Sequence, residues 1–266
     1  AGAALPVDSS AVARYAETRL LDKDFTRRRE AEKKRSFLPA GEYNGWAGPI
    51  RAGDTFSITA LEEYARCPFA YYANRVLKLD EWTEKEEEAG LDIIGSIYHE
   101  VLTKFLRAHA GETLDDRRRE EYQSKLADLV AGSFRRLAEQ DRIVDGRLSD
   151  YQRKRVEEAL LLWLESEIAE QNGEGLQLKP AYFEWGFGLP VTEDMDEASV
   201  STPLSLAIDG QMINIAGKVD RIDDAGGKMA VIDYKRKHCP PFRQLAQGLD
   251  LQAAIYIMAV EKLLCR

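Results

Sequence analysis

Cysteine and histidine are scarce, with three of each in 266 residues. Three widely spaced thiols cannot build the disulfide framework of a small secreted domain, so a reducing, cytoplasmic compartment is expected. Long apolar runs are also missing. The longest, Ala159–Leu164 and Ala253–Val260, fall far short of the roughly 20 residues that cross a bilayer, and no membrane partner is expected. Ala1–Pro6 has neither the basic nor the apolar region of a signal peptide. Nor is there an excess of base: 37 Lys and Arg against 46 Asp and Glu leave a net charge of −9, the opposite of a non-specific nucleic-acid coat. The sequence shows no internal repeat and no low-complexity tract.

What is present suffices for an ordered core, since 44% of residues are hydrophobic and 31% charged. At roughly 150 residues per domain the length fits one large domain or two small ones. Charge is unevenly spread. Acid gathers in Glu81–Glu88 and Glu193–Glu197, and base in Arg27–Arg35 and again in Lys218, Arg221, Lys228, Lys235–Lys237 and Arg243. A local basic groove on an acidic protein is compatible with that pattern.

Residues 1–52 read as a linker or arm: a helical start gives way to a charge run and then to a Gly, Pro and aromatic stretch, Pro39–Gly53. Ser57 or Thr59 can cap a helix through Leu61 and Tyr64, with Glu62 at the third helical position if Thr59 is the cap. Further helices are expected over about Asp92–Ala108, Arg118–Gln140 and Ser149–Gln171, the last two as an antiparallel insertion at about 110–175. Strand-like stretches follow at Lys179–Leu189, Leu204–Asp209, Met212–Asp223 and Lys228–Lys235, with Gly-containing hairpin turns between them. A final helix is expected over about Phe242–Leu264. The order points to an α/β domain, residues 53–266, with a central mixed sheet flanked by helices.

Period-two alternation assigns the polar strand residues to faces. Asp233 and Lys235 share one face at the end of an otherwise apolar strand. Lys218 and Asp220 share a face of the preceding strand, and a hairpin at Asp223–Gly227 brings Asp220 near Asp233. One strand earlier Glu184 lies with Gly186 and Gly188, opposite Phe183, Trp185 and Phe187, on a side with room for a ligand. His99 borders the apolar stripe Ile94, Ile97, Val101 and Phe105 and can point at the sheet. Taken singly, each has an ordinary explanation: a core histidine, a strand ion pair, a solvent-facing acid. Together they form a hard oxygen-rich set that suits Mg²⁺ or Mn²⁺, because converging carboxylates repel unless a cation joins them.

Gly95-x-x-x-His99, Gly217-Lys-Val-Asp220-Arg-Ile-Asp, Ile232-Asp233-Tyr-Lys235 and Gln252-x-x-x-Tyr256, in this order, resemble the motifs of the RecB/AddB-type branch of the PD-(D/E)xK nuclease superfamily. The resemblance runs from about Phe56 to Val260 and implies a restriction-endonuclease-like core. It implies that Asp220, Asp233 and His99, with Glu184 and the backbone carbonyl of Tyr234, hold one or two metal ions, and that Lys235 is the catalytic cation. Gln252 and Tyr256 would steady Lys235 or a DNA phosphate, and Lys218, Arg221, Lys237 and Arg243 would contact DNA. The segment around Cys67-Pro-Phe resembles the entry to the nuclease domain of AddB proteins, so a helicase-like region is expected to precede this chain. The implied activity is an exonuclease in helicase-coupled double-strand-break repair and recombination, acting on a single strand with a partner subunit.

Two departures accompany the match. Arg236-Lys237-His238-Cys239-Pro240 stands where relatives carry Thr-Gly after Asp-x-Lys. Many relatives also hold a 4Fe-4S cluster with one cysteine at the position of Cys67 and three near the C-terminus, whereas three cysteines in all leave that ligand set incomplete here. Two rival readings are a catalytically silent scaffold or DNA-end-binding module and a hydrolase of small phosphoesters. A Cys-His hydrolase built on His238 and Cys239 is remote, because adjacent residues point apart.

Overall fold

A computed structural model describes residues 54–79, 91–143, 146–173, 176–208, 210–235 and 242–265. The expected arm, residues 1–52, lies outside them, as do Arg236, Lys237, His238 and Cys239. Strand β1 (Thr55–Ser57) leads directly into α1 (Ile58–Arg66). Ser57, not Thr59, is the cap, its Oγ accepting from the Ala60 N–H at 3.2 Å. A short α2 (Pro68–Tyr71) begins on Pro68, where the missing N–H costs nothing, and runs into a π-helical turn at Tyr72–Val76.

Helix α3 (Leu91–Arg107) is followed by a 3-10 turn at Asp116–Arg118 and by α4 (Arg119–Glu139) and α5 (Arg147–Gln171). Apolar residues recur every three or four positions on all three. Ile97, Val101, Phe105, Tyr122, Leu126, Val130, Val156, Leu160 and Leu164 are each 1% exposed or less and share one core. Each such side chain contributes roughly 1.5–3 kcal/mol by leaving water. Arg119, at the start of α4, meets Glu165, near the end of α5, at 3.5 Å, so the pair runs antiparallel as expected.

The sheet is organised around one long strand, β4 (Gln211–Asp224). Parallel β1 and antiparallel β5 (Met229–Ile232) flank it on one side, and antiparallel β2 (Lys179–Phe187) and β3 (Leu204–Ile208) on the other. A two-glycine turn joins β4 to β5: Gly226 and Gly227 take φ 70° and 107°, and Ala225 N–H bonds the Lys228 carbonyl at 2.9 Å. Below the sheet lie α3, α4 and α5. On its other face Trp185, Phe187, Ile215, Val219 and Ile222 pack with Ile58 of α1 and with Ile255 and Tyr256 of α7 (Gln252–Ala259), forming a second core. The motif glycine Gly217 is dictated by this packing, because a Cβ there would stand 2.9 Å from the Phe187 ring.

Two expectations need correction. The C-terminal helix is not continuous: α6 (Phe242–Ala246) stops, α7 starts at Gln252 and ends in a π-helical turn at Val260–Leu264. Gly248 at φ 68° makes the break, with Leu249 N–H turning back to the Gln244 carbonyl at 3.0 Å. Phe183, Trp185 and Phe187 do not share a face. Phe183 joins the helical core and the other two join the opposite one. The cause is Glu184, whose φ of 56° interrupts the alternation of β2.

Candidate metal centre

The interruption lies where the charged residues meet. In the β2–β4 ladder Phe183 pairs with Arg221 and Trp185 with Val219, and between these pairs Glu184 and Asp220 are left unpaired. Both strands change face there. Val219 and Ile222 enter the upper core, while Asp220 and Arg221 both meet groups of the lower helices. Helix α3 lies beneath. His99 Nδ1 stands 3.3 Å from Asp220 Oδ2, and Thr103, one turn further, donates its hydroxyl to Glu184 Oε1 at 3.2 Å. One donor atom each from His99, Glu184 and Asp220 lies within 4.8 Å of the others.

The second half comes from the end of β5. That strand stops at Ile232 instead of continuing to Lys235, because the Tyr234 N–H leaves the ladder and bonds Asp220 Oδ2 at 2.9 Å. Continuing the β4–β5 register from Arg221 and Ile232 sets Asp233 opposite Asp220. Lys235 Nζ pairs with Asp233 Oδ2 at 2.7 Å. Gln252, at the first turn of α7, donates to Asp233 Oδ1 and to the Tyr256 hydroxyl, both at 3.0 Å, and its carbonyl accepts from Lys235 Nζ. On the other flank Lys218 Nζ lies 2.5 Å from Glu184 Oε2.

Electrostatics follows from burial. The carboxylates of Asp220, Glu184 and Asp233 are 12–19% exposed, whereas Lys218 and Lys235 are 36% and 38% exposed, so the acids sit deeper than the lysines. The hydrogen bond to Asp220 raises the His99 pKa against the opposing effect of burial, and the charges of Glu184 and Asp233 add to it. Burial raises the Asp233 pKa, Lys235 works against that, and the Asp220 charge reinforces it. Burial likewise raises Tyr256, which favours the neutral, hydrogen-bonding phenol.

The donor set fits a hard divalent cation. Carboxylate oxygens with one imidazole match Mg²⁺ or Mn²⁺, and such an ion would relieve the repulsion recorded in the Asp233 shift.

Other expected site residues are placed differently. Arg221, expected at the DNA, is 2% exposed and ion-paired to Asp223 and Glu167, so its guanidinium faces the interior rather than the surface. Lys218 is engaged with Glu184, and Arg243 is exposed on α6. The expected free space above Gly186 of β2 and Gly188 just after it is filled, with Met195 and Ser199 over Gly186 and Pro203 and Ala216 over Gly188. Cys67 is exposed and caps α2, and Cys265 is exposed with its thiol 3.6 Å from the Met229 sulfur. The Tyr234 contact to the site runs through its N–H. Thr103 and the acids that hold Arg221 were not expected, although Thr103 lies at i+4 from His99, on the same helix face.

A mixed sheet whose central hairpin carries an Asp and an Asp-x-Lys, backed by a histidine helix, defines a class of protein. Residues 55–264 match the family model of the PD-(D/E)XK nuclease superfamily, and the chain belongs to that superfamily. Among curated proteins it is similar to the B-type subunit of the ATP-dependent helicase/deoxyribonuclease of Clostridium tetani, 26% identical over 218 residues. The proteins of the same name from Thermoanaerobacter sp. (strain X514) and Clostridium botulinum (strain Hall) are 27% and 26% identical over 215 and 226 residues. Each match covers 77% of this chain, which spans about 17% of the length of these relatives.

Proposed function

We propose that this chain is a metal-dependent DNA nuclease domain, working as an exonuclease within a helicase-nuclease assembly that processes double-strand breaks for recombination. The observation that carries the reading is the convergence of His99, Glu184 and Asp220 within 4.8 Å, beside an Asp233 held by Lys235 and Gln252. Superfamily membership and the names of the relatives support DNA as substrate and a helicase partner.

Asp220, Asp233, His99 and Glu184, with the Tyr234 carbonyl, would hold Mg²⁺ or Mn²⁺, which supplies an activated water and polarises the scissile phosphate. Gln252 and Asp233 fix the Lys235 ammonium in advance at the half-exposed rim of the site. A cation so placed stabilises charge building on the phosphate without reorganising. Tyr256 holds the Gln252 amide in turn. Lys218, Lys237 and Arg243 are the basic groups assigned to the DNA backbone.

The test compares this chain with Asp233→Ala and Lys235→Ala on linear single- and double-stranded DNA with Mg²⁺ or Mn²⁺. Cleavage that requires the metal and disappears in both variants is expected. DNA binding without cleavage by the unaltered chain would favour a silent scaffold, and shortening from ends rather than internal cutting would support the exonuclease assignment.

A further inference from the structure

Arg221 is the one arginine among the described residues that the structure buries completely, and its partners connect two parts of the molecule. Nε and Nη2 donate to Asp223 Oδ1 and Oδ2 at 2.6 Å each, Nη2 also donates to Glu167 of α5, and Nη1 donates to the Tyr234 hydroxyl at 3.2 Å. Behind Glu167, Gln171 donates to its Oε1 at 2.7 Å and accepts from the Leu114 N–H at 2.8 Å. In front, Tyr234 sends its N–H to Asp220 and sets its ring edge-on to His99, centroids 6.1 Å apart. A chain of contacts therefore runs from α5 through Arg221 and Tyr234 to Asp220 and His99 at the candidate metal centre.

An isolated buried guanidinium is very costly, and apolar side chains would fill this volume at lower cost. Burial works against the Arg221 charge, and the carboxylates of Asp223 and Glu167 more than offset it. Those two acids balance the charge through Nε and Nη2, which leaves Nη1 to the Tyr234 hydroxyl, and this third bond is the one that reaches past the end of β5. Past Ile232 the chain has left the ladder, and Tyr234 lies between Asp233 and Lys235, whose side chains must be held to a fraction of an ångström for catalysis.

We propose that Arg221 and Tyr234 form a clamp through which α5 sets the position of the Asp233–Lys235 segment. Both are positioning residues, and α5 is their anchor. The proposal rests on the nuclease reading for its consequence and on the hydrogen-bond chain for its existence.

Tyr234→Phe removes only the hydroxyl and leaves Arg221 with both carboxylates. Glu167→Gln weakens the anchor in α5. Peptide-level hydrogen exchange on the metal-free protein reads the clamp directly. Exchange at residues 231–235 is expected to rise about fivefold in either variant, while residues 211–217 keep their rate. Unchanged exchange at 231–235 in Tyr234→Phe overturns the clamp, as does equal acceleration throughout the chain, which marks mere loss of stability. With DNA, Tyr234→Phe is expected to lower kcat about tenfold with KM within twofold. If the wild-type chain cuts no DNA while both variants show the expected rise in exchange, the nuclease reading falls and the clamp stands.

Discussion

Glu184 and Asp220 face each other across a gap in the β2–β4 ladder, and Glu184 reaches it with φ at 56°. A side chain with a Cβ pays roughly 1–2 kcal/mol for that backbone conformation, which persists only where its surroundings hold it. Here the reversal places Glu184 over α3, against Thr103 and Lys218 and next to Asp220. The same reversal that strains this position brings Glu184 together with Asp220 and His99 at the candidate centre.

Glu184→Gly separates the two consequences. Glycine adopts positive φ without strain, so the apparent Tm is expected to stay level or rise by a few degrees, corresponding to about 1 kcal/mol. Mn²⁺ affinity is expected to fall at least tenfold with the lost carboxylate. Calorimetric titration alongside thermal denaturation checks both, and a variant that loses stability and keeps its affinity contradicts the account.

The same reversal marks how much of the site can be read in the sequence. Asp233, Lys235 and His99 follow from period-two and helical spacing because each sits on a regular stretch or just past its end, and Asp220 follows from the same alternation although it lies at the irregularity. Glu184 follows from the same alternation, but that rule puts Phe183 on the wrong face and leaves Arg221 free for DNA. In β4 the apolar residues shift from odd positions, Ile215 and Val219, to an even one, Ile222. That phase change is visible in the letters and is the signature of the irregularity. Asp223 stands two residues from Arg221 in the same strand, but the other acid that holds Arg221 is not visible there, because Glu167 lies 54 residues away on a helix whose packing only the folded chain defines.

At the candidate centre a proton on His99 and a bound metal ion would exclude one another. Asp220 raises the His99 pKa above its usual 6.5. A raised folded-state value means the protonated pair stabilises the metal-free fold fully below the unfolded-state pKa, and that this contribution disappears as pH rises through the folded-state pKa. Ligation needs neutral imidazole, so Mn²⁺ affinity is expected to climb over that interval and binding to release a proton. Titrations near pH 7 in two buffers of different ionisation enthalpy measure the release. Wild type is expected to show it and His99→Gln to lose most of it. Equal heats in both buffers for wild type would rule this out.

Away from the centre, Arg136 of α4 grips Glu100 of α3 through two hydrogen bonds, and Lys104 adds a third. The Arg136 bonds hold the Glu100 pKa down at about 2, against 4.5 for a free glutamate. A depressed folded-state value gives stability that is complete above the unfolded-state pKa and vanishes as pH falls toward the folded one. Arg136 is 41% exposed, so solvent screening reduces the contribution to about 1 kcal/mol. Glu100→Gln is expected to cost that amount at pH 7 and almost nothing near pH 2. Urea unfolding across the range checks it, and a pH-independent difference would assign the loss to packing.

The one side-chain amide of Gln252 joins Lys235, Asp233 and Tyr256. Gln252→Ala leaves the Lys235–Asp233 pair in place but frees the ammonium to swing, so its charge is no longer fixed where the phosphate gains charge. Electrostatic stabilisation of this kind depends on fixed geometry, and kcat is expected to fall about tenfold to a hundredfold. KM should stay within about threefold, because the lysine itself is retained. Gln252→Glu does not rescue: it still accepts from Lys235 but sets another carboxylate against Asp233, whose pKa is already raised, and so disfavours the ionised form. Steady-state cleavage by both variants decides the matter. Wild-type turnover by Gln252→Ala would show that Asp233 alone orients the lysine.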